Sequence, residues 1–406
     1  MARNFTITGI DIGSGEIKIL VAQKKKKEEK LEVLSGVKEN SSGVRKGIII
    51  NPAEASRIIK TCLEGANKSL ERKIDSAYIN IGGNHIFSTF SHGLVSVSRA
   101  DRKISKEDID RVIQAAQTIS LSSNKELLEV FPKEFIVDGD RGIKEPLGTE
   151  GVRLEVEALI LGGFSPYLKN LTKTVLNSGI HIDDLIISPL ASSRAVLTPR
   201  EKELGVALVD IGAGTTSLAV FEENNLIHTA IFPIGSSYIT NDIAIGFKTD
   251  IDTAERIKIY FGSCFLRGRE KKSRSVQPVK NKIKLEDLTF SRKVLIKIIE
   301  ARVSEIFGEI NKELKKIFRK ELLPCGIVLT GGGSKIPRIV ELSKKELKLP
   351  TRIGCPRGFS PPQHDPALST VCGLVLLGAD MGAEEGYSFG KGIGSRLKKF
   401  FKIFIP

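Results

Sequence analysis

The apolar positions of this chain change period repeatedly. Thr6-Ile7-Thr8-Gly9-Ile10, Ile17-Lys18-Ile19-Leu20-Val21, Val206-Ala207-Leu208-Val209 and Ser217-Leu218-Ala219-Val220-Phe221 are short β-type runs that alternate or stay apolar, as strands on a core do. Between such runs lie segments of helical period with readable ends. Asn51-Pro52 supplies an N-cap and a first-turn proline for a helix over 52–70. Ser105 and Asp108 have capping-box spacing for a helix over 106–117. Ser165-Pro166 opens a third, which stops at Gly179. A long amphipathic helix is predicted from Arg292 to Lys320, and a largely apolar, buried one over 366–379. Strand clusters alternating with helices place the chain in the α/β class.

One pattern recurs. Asp11-Ile12-Gly13-Ser14-Gly15 returns as Asp210-Ile211-Gly212-Ala213-Gly214, each copy between two strand-like runs. Each reads as a β-hairpin with a glycine turn. One copy is a weak signal. Two in the same context, one per half of a 406-residue chain, predict a duplicated fold with one site between its halves.

Composition narrows the class. The apolar fraction of 41% and charged fraction of 27% are those of an ordinary globular protein. The first residues form a strand pattern, with no signal-peptide core, and no apolar run is long enough to span a bilayer; a cytoplasmic start is expected. The five cysteines and five histidines lack metal-ligand or disulfide spacing, so they are read as structural. The net charge of +14 is concentrated: Arg267 to Lys284 holds eight Lys/Arg against Glu270, and Lys391 to Pro406 holds five with no acid. Lys24 to Lys27, followed by Glu28-Glu29, reads as a solvated hairpin tip. Nucleic acid is not the expected partner, because no helix-turn-helix, RNP or zinc-finger pattern is present and Trp is absent.

The repeated turns carry the candidate chemistry. Glycines after a strand let backbone N–H groups approach phosphate oxygens. An aspartate at the strand end suits hydrated Mg²⁺, so Asp11 and Asp210 are candidate metal residues. Gly13, Ser14, Gly15, Gly212, Ala213, Gly214, Thr215 and Thr216 are candidate phosphate donors, with Lys18 as countercharge. No G-x-x-x-x-G-K-[ST] occurs, so this is no P-loop. A third cluster, Ile327-Val328-Leu329-Thr330-Gly331-Gly332-Gly333-Ser334-Lys335-Ile336-Pro337, reads as strand, glycine turn, then a helix whose first turn includes Ile336 and Pro337. Gly331, Gly332, Gly333, Lys335 and Ile336 are candidate base contacts. Glu255 and Lys258 are three apart on a predicted helix, placed to grip a ribose or to pair with each other.

In this order and spacing, D-I-G-x-G, D-I-G-A-G-T-T, A-E-x-I-K and V-L-T-G-G-G-S-K-I-P resemble the two phosphate motifs, the ribose helix and the adenosine motif of the actin, sugar-kinase and heat-shock-chaperone superfamily. Within it the chain resembles the FtsA family of bacterial cell-division proteins. Gly43 to Ile49, Ile79-Asn80-Ile81-Gly82-Gly83, Pro189 to Ser193 and Thr240 to Ala244 are similar to family stretches. The resemblance implies an actin-like ATPase fold binding ATP and Mg²⁺. Residues 1–83 and 157–191, closed by a helix near 366–380, would form one RNase H-like half. An inserted subdomain would span 84–156, contacting other division proteins. Residues 192–235 and 301–365 would form the second half, and 236–300 its small subdomain. That subdomain is implied to receive the C-terminal tail of the tubulin-like protein FtsZ, with Arg267, Arg269 and Arg302 as candidate contacts for an acidic peptide. Head-to-tail self-polymerisation at the membrane of the division site is also implied. One departure bears on catalysis. Heat-shock chaperones place a glutamate before the proline corresponding to Pro189, whereas this chain has Ser188, a feeble general base, so hydrolysis is expected to be slow.

Residues 381–393 read as a glycine-rich flexible linker, and 394–406 as a different device. Leu397, Phe400, Phe401 and Phe404 share one helical face, and Arg396, Lys398, Lys399 and Lys402 fill much of the rest. A bulky apolar face beside cations describes a helix lying in an anionic membrane interface. The shared nucleotide motifs also leave a pilus-assembly or cytoskeletal ATPase open. A small-molecule kinase is a third reading, although it has no use for such a tail.

Overall fold

The computed structural model describes residues 5–25, 28–119, 121–265, 282–285, 288–317 and 323–384. The first half opens with the hairpin β1 (Phe5–Ile12) and β2 (Glu16–Lys24), extended by β3 (Leu31–Asn40). A small ladder of β4 (Val44–Arg45) and β5 (Ile48–Ile49) leads into α1 (Pro52–Leu70), then β6 (Ser76–Ile81). Asn51 caps α1 by accepting from the Glu54 N–H, as its sequence predicts.

An insertion follows: β7 (Phe87–Ser96), α2 (Lys106–Gln117), β8 (Lys125–Val137), β9 (Asp140–Ile143) and β10 (Arg153–Phe164). Its strands form a separate sheet in the order β7-β10-β8-β9, with α2 on one face over a core of Val112, Ala116, Val156 and Ile160. The capping box of α2 is fully formed. The Asp108 carboxylate is buried and accepts from the Ser105 N–H and hydroxyl, the Ser98 hydroxyl and Arg111.

The chain returns through α3 (Ser165–Asn177), β11 (His181–Ile187) and α4 (Ser188–Val196), then α5 (Pro199–Leu204). The second half repeats the first with β12 (Val206–Ile211), β13 (Thr216–Glu222) and β14 (Asn225–Phe232). Helices α6 (Ser236–Phe247) and α7 (Ile251–Phe261), the ladder β15 (Lys282–Leu285) with β16 (Leu288–Ser291), and α8 (Arg292–Ile317) come next. The half closes with β17 (Ile327–Thr330), α9 (Ile339–Leu347) and β18 (Thr351–Ile353). Finally β19 (Phe359–Ser360) and α10 (Ser369–Glu384) return to the first half.

The two large sheets show the duplication. One runs β11-β6-β1-β2-β3-β19 and the other β14-β13-β12-β17-β18. In each, three antiparallel strands adjoin two parallel ones around an equivalent central strand, β1 or β12. Helix α4 packs between the sheets, so Leu190 and Ala191 share one core with Ile10 of the first half and Leu208 of the second. Gly373 of α10 lies directly on the Ala191 backbone, where no side chain would fit. The opposite face of the second sheet carries α6, α8 and α9.

Three expectations change. The segment from Val279 to Leu288, whose basic, turn-rich sequence predicts a loop beside the start of the long helix, contributes Lys282–Leu285 to the β15–β16 ladder, because Ile283 and Leu285 pack on the second core. Ile336 and Pro337 are not in a helix. Gly332–Lys335 form one 3₁₀ turn, and α9 starts only after Arg338 in the left-handed region. The first residues of the expected linker at 381–393 are helical, since α10 continues to Glu384 with Met381 buried in the core, and 385–393 lie outside the described residues. The tail 394–406 lies outside the described residues.

The buried Asp108 network makes a stability prediction. Burial disfavours the charged carboxylate, but the Ser105 hydrogen bonds, then Arg111 and Ser98, outweigh it and hold Asp108 well below the usual carboxylate range. Asp108→Ala should cost about 2–3 kcal/mol by stranding these donors, as read by denaturant unfolding. A depressed pKa in the folded state stabilises above the unfolded value of about 4, so this contribution is present at neutral pH and fades on acidification below it.

Candidate functional site

The β1–β2 and β12–β13 turns are built alike. The Gly13 N–H donates to the Glu16 carbonyl, and the Gly212 N–H to the Thr215 carbonyl, at 3.1 and 2.9 Å. Because equivalent strands lead to them from opposite halves, the turns meet. A Cβ on Gly15 would lie 2.7 Å from the Ala213 Cβ, and one on Gly214 would lie 2.7 Å from the Ser14 Cβ. Glycine at these two positions is therefore needed for the halves to approach. The Ser14 hydroxyl also accepts from the Gly47 N–H at 2.8 Å.

Around this contact opens a cleft of about 730 Å³, a size suited to a small-molecule ligand. It is lined by Asp11, Gly13, Ser14, Gly15 and Lys18 from the first half, and by Asp210, Gly212, Ala213, Gly214 and Thr215 from the second. Glu255, Lys258, Gly331, Gly332, Gly333, Lys335 and Ile336 complete the far wall. The sequence candidates thus converge, with one exception. Thr216 is fully buried in β13 and donates its hydroxyl to the Ile234 carbonyl, because its position in the strand turns it into the core.

The electrostatics centre on two carboxylates and one ammonium. Lys18 pairs with Asp11 at 3.3 Å and with Glu16 at 3.7 Å. Burial opposes the Lys18 charge, but Asp11 and Glu16 outweigh it and raise the lysine's pKa. Among the described residues, Asp210 has no such cation at hydrogen-bonding range. Burial, with Asp11 adding repulsion, pushes its pKa up, against the hydrogen bond from Ser192. The donor set of Asp11 and Asp210 suits a hard cation such as Mg²⁺, which takes oxygen ligands and often keeps its waters.

At the other end, Lys258 pairs with Glu255 at 2.7 Å and donates to the Thr240 hydroxyl at 2.9 Å and the Ser236 carbonyl at 3.3 Å. The ion-pair reading of Glu255 and Lys258 holds, and both residues line the cleft. Lys335 reaches Asp365 at 3.0 Å.

Sequence reasoning missed Asn80, Ser192 and Thr370. Asn80 accepts from the Ile12 N–H at 2.6 Å and donates to the Ser188 hydroxyl at 3.1 Å, bracing the first turn. Ser188, which in turn donates to the Ile81 carbonyl, lines the cleft without a carboxylate. These partners are distant in sequence, and only the family-like stretches Ile79 to Gly83 and Pro189 to Ser193 hinted at Asn80 and Ser192. Arg302 is held by Asp242 at 2.6 and 2.8 Å and by Glu305, while Arg267 and Arg269 lie outside the described residues.

Comparison with known proteins now bears on this cleft. A family model described as cell division protein FtsA matches residues 207–373, and one for the SHS2 domain inserted in FtsA matches 83–161. The cell division protein FtsA of Pseudomonas aeruginosa is 36% identical over 376 residues, covering 92% of this chain and 89% of its own. The chain belongs to the FtsA family. The Neisseria meningitidis FtsA is 34% identical over 411 residues, covering 98% of both chains. Among solved structures, the PilM–PilN type IV pilus biogenesis complex superposes with a TM-score of 0.65 at 18% identity, over 92% of this chain and 98% of its own. MreB5 of Spiroplasma citri bound to ADP gives 0.54 at 13% identity, over 94% and 99%. These likenesses establish the fold as actin-like, and the FtsA relatives make this an actin-like cell division protein. The SHS2 match coincides with the β7–β10 insertion that separates the FtsA family from a plain two-half fold.

The turn contact is directly testable. Gly15→Val and Gly214→Val should each destabilise the protein by about 1–3 kcal/mol through overpacking, measured by denaturant unfolding. Gly308→Ala, at a helical site with open space beside it, should instead be neutral or stabilising.

Proposed function

We propose that this FtsA-family chain binds Mg-ATP in the cleft, polymerises head to tail, and tethers FtsZ filaments to the inner face of the cytoplasmic membrane at the division site. The observation that carries the nucleotide reading is the convergence of both D-I-G turns on one cleft, with two carboxylates there and a lysine paired to only one of them. Triphosphate oxygens would lie against Ser14, Gly15, Ala213 and Gly214. Asp11 and Asp210 would hold the hydrated metal, whose bound charge would offset that of the phosphates. The base and ribose would lie toward Gly331–Gly333, Ile336, Glu255 and Lys258. A fold relative is described as bound to ADP, which agrees with this reading.

Hydrolysis is a minor property in this scheme. The Ser188 hydroxyl accepts from Asn80 and donates to the Ile81 carbonyl, and it is too weak a base to activate water. Nucleotide then serves to bias conformation and polymer assembly. The α6–α8 subdomain is the proposed docking site for the FtsZ tail. At Arg302 an acidic peptide would compete with Asp242 and Glu305, so the basic run 267–284 is expected to supply most of the attraction. The β7–β10 subdomain is the proposed contact for other division proteins.

No described helix is long and apolar enough to cross a membrane. The proposed membrane element is the 394–406 segment, whose Leu397, Phe400, Phe401 and Phe404 face would enter the acyl boundary while Arg396, Lys398, Lys399 and Lys402 meet anionic headgroups.

Calorimetry tests the site: Asp210→Ala should weaken Mg-ATP binding at least about tenfold, or 1.4 kcal/mol. Unchanged affinity in a folded variant would remove Asp210 from the assignment. Co-sedimentation with acidic liposomes tests the tether. Deleting residues 391–406 should abolish pelleting and leave ATP binding intact. If the truncated protein still pellets at physiological salt, the basic run at 267–284 becomes the candidate anchor.

A further inference from the structure

We infer that Ser192 and Thr370 are positioning residues that hold the Asp210 carboxylate toward the metal-bound phosphates, an inference that rests on the nucleotide reading above. The Ser192 hydroxyl donates to Asp210 Oδ2 at 2.5 Å, and the Thr370 hydroxyl reaches the same oxygen at 3.3 Å. The two hydroxyls are 3.0 Å apart, closing a three-membered network. Ser192 is fully buried, and Thr370 is nearly so. On the other side, a Cβ on Gly331 would strike Asp210 Oδ1, so the carboxylate is confined from two directions.

Both donors come from outside the β14-β13-β12-β17-β18 sheet that carries Asp210. Ser192 lies on α4 and Thr370 in the first turn of α10, and these helices are fixed to each other. Gly373 meets the Ala191 backbone, and Arg194 grips Asp380 at 2.7 and 3.1 Å. The network therefore rests on a rigid pair of helices rather than on a loop.

The duplication shows what these donors are for. Asp11 pairs across its hairpin with Lys18, and Asp210 at the equivalent register with Ser217. The first carboxylate is thus met by a cation at 3.3 Å and the second, among the described residues, by neutral hydroxyls. A hydroxyl donor fixes the direction of a carboxylate without cancelling its charge. Asp210 is held in place without a local countercharge, so a hydrated cation is what would balance its charged form.

The test separates positioning from packing through the metal dependence of binding. ATP is titrated into the full chain in EDTA and at several Mg²⁺ concentrations, for wild type, Ser192→Ala, Thr370→Val and the double variant. The double variant should raise the Mg²⁺ needed for half-maximal ATP binding about tenfold, the scale of one hydrogen bond to a charged group. Its affinity for ATP in EDTA should stay at the wild-type value, and Thr370→Ser should behave as wild type. Equal losses with and without metal would reduce the network to packing and overturn the inference, as would no change at all. If the double variant does not fold, Thr370→Val, which preserves shape, carries the test through a smaller shift in the same direction. Failure of the wild type to bind ATP at any Mg²⁺ would instead remove the nucleotide reading, and this inference with it.

Discussion

The structure depends on one close approach, that of two glycine turns offered from opposite halves. Gly15 faces Ala213 and Gly214 faces Ser14, with no room for a further carbon atom at either glycine. The approach is possible because both halves present the same hairpin, β1–β2 or β12–β13, at the same place in the same strand order. Glycines here serve two demands at once. They let the halves close, and they keep backbone N–H groups open to an anion. The cleft owes its shape to this contact: its lining combines the two turns with the third glycine cluster and with α7, which no single half could assemble.

Duplication set the architecture, and divergence set the chemistry. At the register where the first half has Lys18, the second has Ser217. One aspartate is therefore neutralised locally, and the other is steadied by hydroxyls borrowed from α4 and α10. Two identical halves would carry either two lysines, leaving little demand for a metal, or none, leaving two buried carboxylates in mutual repulsion. The observed arrangement avoids both extremes.

Much of this was legible in the sequence because its signals are local. Asn51-Pro52 and the Ser105/Asp108 pair marked helix starts within one turn of chain, and the repeated D-I-G placed the two hairpins. The misses are places where distant residues decide. Thr216 follows a phosphate turn but belongs to a strand, and strand alternation sends its hydroxyl to Ile234. Ile336 and Pro337 looked like a first helical turn until Arg338, in the left-handed region, broke the backbone before α9. The alternation in Lys282-Ile283-Lys284-Leu285 was a strand signal obscured by its basic surroundings. Thr370 carries no motif, Ser192 lies in a family-like stretch that assigns it no role, and 178 positions separate them. Only the crossing of α4 with α10 brings them together.

The strength of the contacts between halves is graded, and the grading implies how they move. The insertion, rooted in the first half, touches the second through Ser88 donating to the Thr229 carbonyl at 3.2 Å and through Lys144 with Glu223 at 3.1 Å. The second of these is an exposed ion pair, worth about 0–1 kcal/mol, and although β7, β8 and β10 also rest along β14, sliding there would strand no charged group. At the base of the cleft, by contrast, α4 is buried between the two sheets, and Asp210 is held by buried hydroxyls. Breaking that region would expose apolar surface and strand a charged group, at several kcal/mol. Opening is therefore expected to be a rotation about α4 and the start of α10, with the glycine turns parting and the insertion sliding over the β14 edge. A ligand bound between the turns acts on the weakly held side of this hinge, where a modest difference in binding energy is enough to shift the balance of open and closed forms.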